Sequence, residues 1–205
     1  MEKNNIYGKY RPTLEKIMQD LSDQITAYNN EEKKRMGVSV YEHLTARIKT
    51  ESSMAEKCRR RNLPETPESA LAVLYDAIGI RIVCNFIDDI YRNLHHIKKF
   101  ENCSVVMEKD YIKQAKDNGY RSYHLILEVT APYEDVLGNN PGKFFVEIQL
   151  RTIAMDSWAS LEHQMKYKKT VRNQTLIVSE LKRLADELAS CDISMQTIRD
   201  LIERS

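Results

Sequence analysis

Between residues 143 and 151 apolar and polar positions alternate without a break. Phe144, Val146, Ile148 and Leu150 fall on one face, and Phe145, Glu147, Gln149 and Arg151 on the other. Side chains alternate along a strand, so the pattern predicts a strand with a core face and a face carrying a carboxylate, an amide and a guanidinium. The pattern then turns helical through Trp158, Glu162 and His163 to Lys168. Upstream, Leu14, Ile17, Met18, Leu21 and Ile25 recur at helical spacing and predict a helix over 10–28. The polar run 29–35 reads as a linker to a strand over 38–49, where Leu44, Ala46 and Ile48 alternate with Thr45, Arg47 and Lys49. A basic helix follows over 51–62, with Ser53, Lys57 and Arg60 on one face and Arg59 pointing away. Pro64 and Pro67 end it and open a helix over 70–75.

Ile80, Ile82, Cys84 and Phe86 predict a strand ending at 86, with Arg81, Val83 and Asn85 on its other side. Asp88 is placed to cap a helix running to 100, whose stripe is Ile90, Leu94 and Ile97. A short strand over 104–107 leads into a polar loop, 108–118; Gly119 punctuates it before a strand over 122–130. The Gly-Asn-Asn-Pro-Gly run within 132–142 is a turn. Near the end, Ile177, Leu181, Leu184, Leu188, Cys191, Met195, Ile198 and Ile202 alternate spacings of four and three, an a/d seam. Such a seam fits a helix packed on its own domain and also a helix pair between subunits. These elements give a mixed α/β (α+β) fold: a sheet of about five strands flanked by helices, with a long C-terminal helix.

Composition narrows the class. The 205 residues are 42% hydrophobic and 30% charged, values of a globular domain. Lys and Arg number 31 against 30 Asp and Glu, so any basic patch is local; DNA is not an expected partner, and RNA is open but not indicated. No apolar run approaches the roughly 20 residues that span a bilayer, and Met1-Glu-Lys-Asn-Asn5 lacks the features of a signal peptide. Cys58, Cys84, Cys103 and Cys191 are scattered without metal-ligand spacing, which fits reduced thiols. The expectation is a cytoplasmic protein with no membrane partner.

Three clusters carry candidate chemistry. From Arg47 to Arg61 six basic residues meet two acidic ones, Glu51 and Glu56. Arg47 and Lys49 share a strand face, and Ser53, Lys57 and Arg60 lie near a helix start, where free N–H groups favour anions. A solvated charged face explains the same run. Asp76 and Glu147 would repel phosphates gathered on a basic surface, unless an ion such as Mg²⁺, held by one or two carboxylates and phosphate oxygens, lies between them. Two surface salt bridges, Asp76 with Arg81 and Glu147 with Arg151, are the alternative. The third cluster joins Tyr120, a possible platform for a base, with His124, Lys109 and Lys116; turn packing of Tyr120 and a structural His124 would also account for it.

Arg47-x-Lys-x3-Ser-x3-Lys57, Asp76-x2-Gly-x-Arg81, Gly119-Tyr-Arg-Ser-Tyr-His124 and Glu147-Ile-Gln-Leu-Arg-Thr152, followed by Trp158 and Glu162-His163, resemble the synthetase domain of RelA/SpoT-type proteins. The length and long last helix are similar to the small alarmone synthetases. The resemblance covers roughly 38–168. It divides the chain into an N-terminal helical segment (1–36), a synthetase domain (37–170) and a C-terminal amphipathic helix (171–205) suited to oligomerisation. It implies a nucleotidyltransferase-like fold and transfer of pyrophosphate from ATP to the 3′-hydroxyl of GTP or GDP, with Mg²⁺, in a homotetramer. It further implies that Arg47 and Arg81 sandwich adenine, and that Lys49, Ser53, Lys57 and Arg60 hold the ATP phosphates. Asp76 and Glu147 would hold Mg²⁺, and Glu147 would also act as base. Tyr120 would stack on guanine, Lys109, Lys116, His124 and Gln149 would hold the rest of the acceptor, and Asp156 would face the guanine edge. Trp158, Glu162 and His163 mark the family and are expected to support structure rather than chemistry.

No His-Asp dipeptide occurs, so the family's metal-dependent hydrolase site is not visible and synthesis alone is expected. GxxxxGK is absent, which argues against a P-loop NTPase. A toxin-type enzyme acting on tRNA 3′ ends and a non-catalytic nucleotide- or RNA-binding regulator remain as alternatives. The near-neutral charge gives no support to the first, and the pairing of Asp76 with Glu147 disfavours the second.

Overall fold

A computed structural model describes residues 5–167 and 173–204; Lys168, the expected end of the helix after the fifth strand, and the expected boundary at 170/171 lie outside the described residues. The elements are α1 (Arg11–Met36), β1 (His43–Ile48), α2 (Glu51–Arg60), a single π turn (Ser69–Val73), β2 (Ile78–Cys84) and α3 (Ile87–Ile97). Then come β3 (Cys103–Asp110), β4 (Tyr123–Ala131), β5 (Gly142–Thr152), α4 (Ile153–Tyr167) and α5 (Gln174–Glu203). The five strands form one sheet in the order β1-β2-β5-β4-β3, with β2 and β5 parallel and the other pairs antiparallel.

The alternation read from the sequence is what makes the sheet two-faced. Ile80, Ile82, Leu125, Leu127, Val146 and Ile148 are buried in one cluster with Leu14, Ile17, Leu21 and Ile25 of α1 and Ile90, Leu94 and Ile97 of α3. Burial of side chains of this size contributes about 1.5–3 kcal/mol each before entropy is counted. The opposite face carries polar side chains in two rows set by strand register. One row is Thr45, Arg81, Gln149, His124 and Lys109; the next is Arg47, Gly79, Glu147, Ile126 and Met107.

Several local expectations are corrected. The helix expected to end at 28 runs on through the polar stretch 29–35. Its inward positions there are polar: Asn29 accepts the Val40 N–H at 2.9 Å, and Tyr28 stacks on His96 at 3.7 Å. Gly37, at φ 77°, ends the helix with its N–H on the Lys33 carbonyl. The first strand starts at His43 rather than 38, and a single π turn replaces the helix expected over 70–75. Phe86, not Asp88, occupies the N-cap of α3; Asp88 lies in its first turn, where a carboxylate complements the helix dipole. β3 runs to Asp110 instead of stopping at 107, so Lys109 lies on a strand and not in a loop.

The C-terminal seam divides. Leu181 and Ala185 are buried with Trp158 and Ala159, and Ile177, Leu184 and Leu188 pack against that group. Met195, Ile198 and Ile202 are 57%, 51% and 70% exposed. A straight helix drifts away from a seven-residue repeat, and the inward line continues instead through Asp192, Gln196 and Arg199. Gln196 and Arg199 both bond to Asp88, at 3.0 and 3.1 Å. Asp192 accepts the Thr152 hydroxyl at 2.6 Å, and Thr152 in turn caps α4 by accepting the Met155 N–H at 3.1 Å.

Burial pushes the Asp192 carboxyl above its ordinary 3.8, against the pull of Thr152 and Arg121. A carboxyl whose folded pKa is raised contributes stability in acid that is lost as pH rises through that value. Asp192→Asn keeps an acceptor for Thr152 and removes the buried charge. It is expected to raise stability at neutral pH by on the order of 1 kcal/mol, with the gain shrinking as pH falls toward 3.8. Thermal melts across that range check it.

Candidate active site

The two polar rows form the floor of the site. Gly79 stands between Arg47 and Glu147 in its row, so the floor drops where any side chain would fill it. A cleft of about 220 Å³ opens there, lined by Arg47, Lys49, Asp76, Arg81, Glu147 and Gln149 among others. A second cleft of about 560 Å³ lies on the other side, with Lys57, Lys109, Lys116 and His124 in its wall. Among the described residues only Asp76 and Glu147 line both clefts.

Lys109 reaches the second cleft because of a β-bulge. The β3–β4 register shifts between Val105 and Met107, so Val105 pairs with core-facing Leu127 while Met107 and Lys109 pair with Ile126 and His124. In an unbroken strand, residues 105, 107 and 109 would share a face. The extra residue turns Lys109 onto the polar side.

The salt bridges offered as an alternative do not form. Asp76 Oδ2 is bound instead by the ammonium groups of Lys49 and Lys57, the latter at 2.7 Å. Arg151 and Arg81 both go to Asp156 Oδ1, at 3.0 and 3.3 Å. Burial works to raise the Asp76 pKa, but the two lysines outweigh it and hold the carboxyl below its ordinary 3.8. Burial likewise opposes ionisation of Glu147. His124, with Nδ1 3.4 Å from Oε1, and Gln149, donating to Oε2 at 3.1 Å, bring it below 4.5 despite the nearby Asp76 charge. Both carboxylates are therefore ionised at neutral pH.

Asp76 Oδ1 is buried and has no hydrogen-bond partner among the described residues. An orphaned carboxylate oxygen beside a second carboxylate fits a divalent cation that takes its other ligands from phosphate and water. Among the described residues no group of three or more His, Cys, Asp or Glu could hold an ion unaided.

On the acceptor side the Tyr120 hydroxyl lies 2.8 Å from His124 Nε2 and accepts from Arg151 Nη2 at 2.7 Å. Two cations lie over its ring, Lys116 Nζ at 4.7 Å and Arg151 at 5.2 Å. Tyr120 thus stands beside the second cleft, and its ring is occupied rather than bare. Ser53 and Arg60 lie on the exposed surface of α2 and line neither cleft. Arg61, Tyr75 and Tyr111 line the larger cleft and were not singled out from the sequence. Arg61 belongs to the basic run already noticed, whereas Tyr75 and Tyr111 carry no pattern that would have flagged them. Tyr7, also missed, donates to the Lys49 carbonyl at 2.8 Å and fixes the backbone at the end of β1.

The model of the region found in RelA / SpoT proteins matches residues 46–172, which span every one of these side chains except Tyr7. The chain belongs to the RelA/SpoT family. It is 37% identical over 167 residues to GTP pyrophosphokinase YwaC of Bacillus subtilis, covering 82% of this chain and 78% of that one. Small alarmone synthetase 1 from Bacillus subtilis, bound to its product pppGpp, superposes with a TM-score of 0.76 at 32% identity, covering 95% of each chain. The same synthetase bound to AMPCPP gives 0.68 at 30% identity, covering 96% of this chain and 95% of that one. The sheet of about five strands and the long last helix expected from the hydrophobic pattern are therefore those of the small alarmone synthetases.

The polar pair at Glu147 is open to direct titration. The Glu147 carboxyl is expected to titrate below 4.5 and to move upward in His124→Asn, because the imidazole favours the charged form. Carboxyl ¹³C NMR reads both values; an unmoved or lowered value in the variant would contradict the assignment of His124 as its partner.

Proposed function

We propose that the protein transfers the β,γ-pyrophosphate of ATP to the 3′-hydroxyl of GTP or GDP, giving (p)ppGpp and AMP. The observation that carries this is the pair of clefts meeting at Asp76 and Glu147 and at no other lining residue. A reaction between two nucleotides needs two pockets and a shared chemical centre. The relatives named as GTP pyrophosphokinase and as alarmone synthetase bound to pppGpp or AMPCPP support the same substrates.

In the smaller cleft Arg47 and Arg81 hold adenine between them, and Lys49, with Lys57 reaching Asp76 from the larger cleft, engages the phosphates; Ser53 and Arg60, on the exposed surface of α2, keep their phosphate role from the family resemblance alone. Lys49 and Lys57 lie on Asp76 in the protein alone, so phosphate oxygens compete for ammonium groups that are already gathered. In the larger cleft Tyr120 stacks on guanine once Lys116 shifts from its ring to the acceptor phosphates, alongside Lys109. His124 and Gln149 orient the ribose beside Glu147. Asp156, steadied by Arg81 and Arg151, accepts from N1–H and the 2-amino group of guanine, a donor pair adenine lacks.

Glu147 takes the proton of the 3′-hydroxyl as its oxygen bonds to the β-phosphorus; the bond to the α-phosphate oxygen breaks and AMP leaves with that electron pair. A positioned base contributes about 10²–10⁴-fold, and alignment of two bound reactants about 7–11 kcal/mol. Asp76 and Glu147 would hold Mg²⁺, which when bound supplies neutralisation of charge on the transferring phosphates. Lys49, Lys57 and Arg81 add fixed positive charge around the same atoms. With no hydrolase motif in the chain, the activity is synthesis alone.

Among the described residues no helix is long and apolar enough to cross a membrane; the setting proposed is the cytoplasm. The exposed second half of the α5 seam, with Met195, Ile198 and Ile202, is compatible with the homotetramer that the family's small members suggest and does not set the number of subunits. Light scattering at micromolar concentration is expected to give a mass above the 23.9 kDa of one chain.

The reaction is tested with γ-labelled ATP, Mg²⁺ and GTP, GDP or tRNA. Label is expected on the guanine nucleotide, with one AMP per transfer; label confined to ATP, or appearing in tRNA, overturns the proposal. Glu147→Gln is expected to lower kcat by at least about 10²-fold with little change in nucleotide binding. Asp156→Ala is expected to lower the preference for GTP over ATP as acceptor by about tenfold.

A further inference from the structure

Tyr120 sits in the connection between β3 and β4, and the back of that connection rests on α4 and α5. Gly119, at φ +88°, lies so close to α5 that a Cβ there would meet the Ala185 Cβ at 2.6 Å and the Lys182 Cα at 3.3 Å. Arg121 Nη1 donates to the Ala185 carbonyl at 3.2 Å, and its Nη2 donates to Asp186 Oδ1 at 3.0 Å. Asn118 accepts the Tyr120 N–H through Oδ1 at 3.2 Å and donates through Nδ2 to Glu162 Oε1 of α4 at 3.1 Å. Trp158 presents its ring edgewise to Tyr120 at 6.3 Å between centroids and donates Nε1–H to the Leu181 carbonyl at 2.8 Å. Residues 118, 119, 120 and 121 are thus each tied to α4 or α5. The side chains of the smaller cleft come instead from β1, β2, β5 and the segment ending at Asp76.

We infer that α4 and the first half of α5 form a positioning frame for the acceptor platform: Glu162 and Asp186 set the pose of Tyr120, and thereby acceptor affinity, without touching the ATP side. This rests on Tyr120 as the acceptor platform in the reading above. It gives two motif or helix residues without a chemical part, Glu162 and Asp186, a defined one as positioning residues. It also explains why a glycine stands at 119. Any side chain there would push the connection off α5, and the positive φ would strain it as well.

Trp158 is the one tryptophan of the chain, so its emission reports directly on the platform beside it. Asp186 has a side chain 56% exposed and lies outside the core, so its removal leaves the fold intact. In Asp186→Ala and in Glu162→Ala, KM for GTP is expected to rise about three- to tenfold, as loss of one hydrogen bond or ion pair allows. KM for ATP is expected to stay within about twofold in the same variants. Asp186→Glu, which keeps the partner for Arg121, is expected to recover most of the loss. GDP should change Trp158 emission in the native protein and AMPCPP alone should not, with the GDP midpoint moving by the same factor as KM. Equal shifts in both KM values, an unmoved GTP KM, or loss of fold in both alanine variants would overturn the inference. The emission titration needs no turnover: a native protein that binds GDP at Trp158 but transfers nothing would overturn the reaction while leaving the frame standing.

Discussion

Asp76 and Glu147 repel each other where the two clefts meet, and their partial burial strengthens that repulsion, since opposing fields weaken less in a medium of low dielectric. The surrounding structure compensates with two lysines on Asp76 and a histidine and a glutamine on Glu147. The compensation is incomplete, because Asp76 Oδ1 has no partner. A site left short of positive charge in this way favours whatever brings more of it. A nucleotide alone would add negative charge there, which is the physical ground for the cation proposed at these two carboxylates.

Strand register is what turns this local balance into a site. Glu147 is opposite Gly79 on the parallel β2–β5 pair, and Arg47 is opposite the same glycine on the antiparallel β1–β2 pair. A one-residue slip in either ladder would send these side chains into the core face. The buried row of isoleucine, leucine and valine under α1 and α3 prevents that slip. The hydrophobic core therefore determines the functional geometry through register.

What could be read from the sequence follows from which interactions leave a periodic trace. Glu147, Gln149, Arg47 and Arg81 were assigned to the polar face correctly because strand alternation needs only apolar partners to reveal it. The second half of α1 was missed because its inward groups, Asn29 and Glu32, are polar, and periodicity counts apolar residues alone. For Lys109 a bulge breaks the alternation at the point where it turns that side chain around, so periodicity alone ends the strand at 107. The α5 seam looked continuous through Ile202, but seven-residue spacing and the 3.6-residue turn part company beyond Leu188, and the packed face follows the turn. The ties of 118–121 to α4 and α5 join residues 38 or more positions apart and leave no local pattern.

Asp156 shows how the two clefts depend on one another. Its Oδ1 pairs with Arg81, which lines the smaller cleft, and accepts from Arg151, whose other nitrogen donates to the Tyr120 hydroxyl. Burial and the charge of Arg151 both act to lower the pKa of Arg81, with Asp156 acting against them. A guanidinium does not give up its proton in a protein, so the opposition is felt as repulsion between two fixed cations. One carboxylate between them offsets that repulsion for both. The triad thus joins the smaller cleft to the Tyr120 side of the larger one through three side chains held together by a single carboxylate.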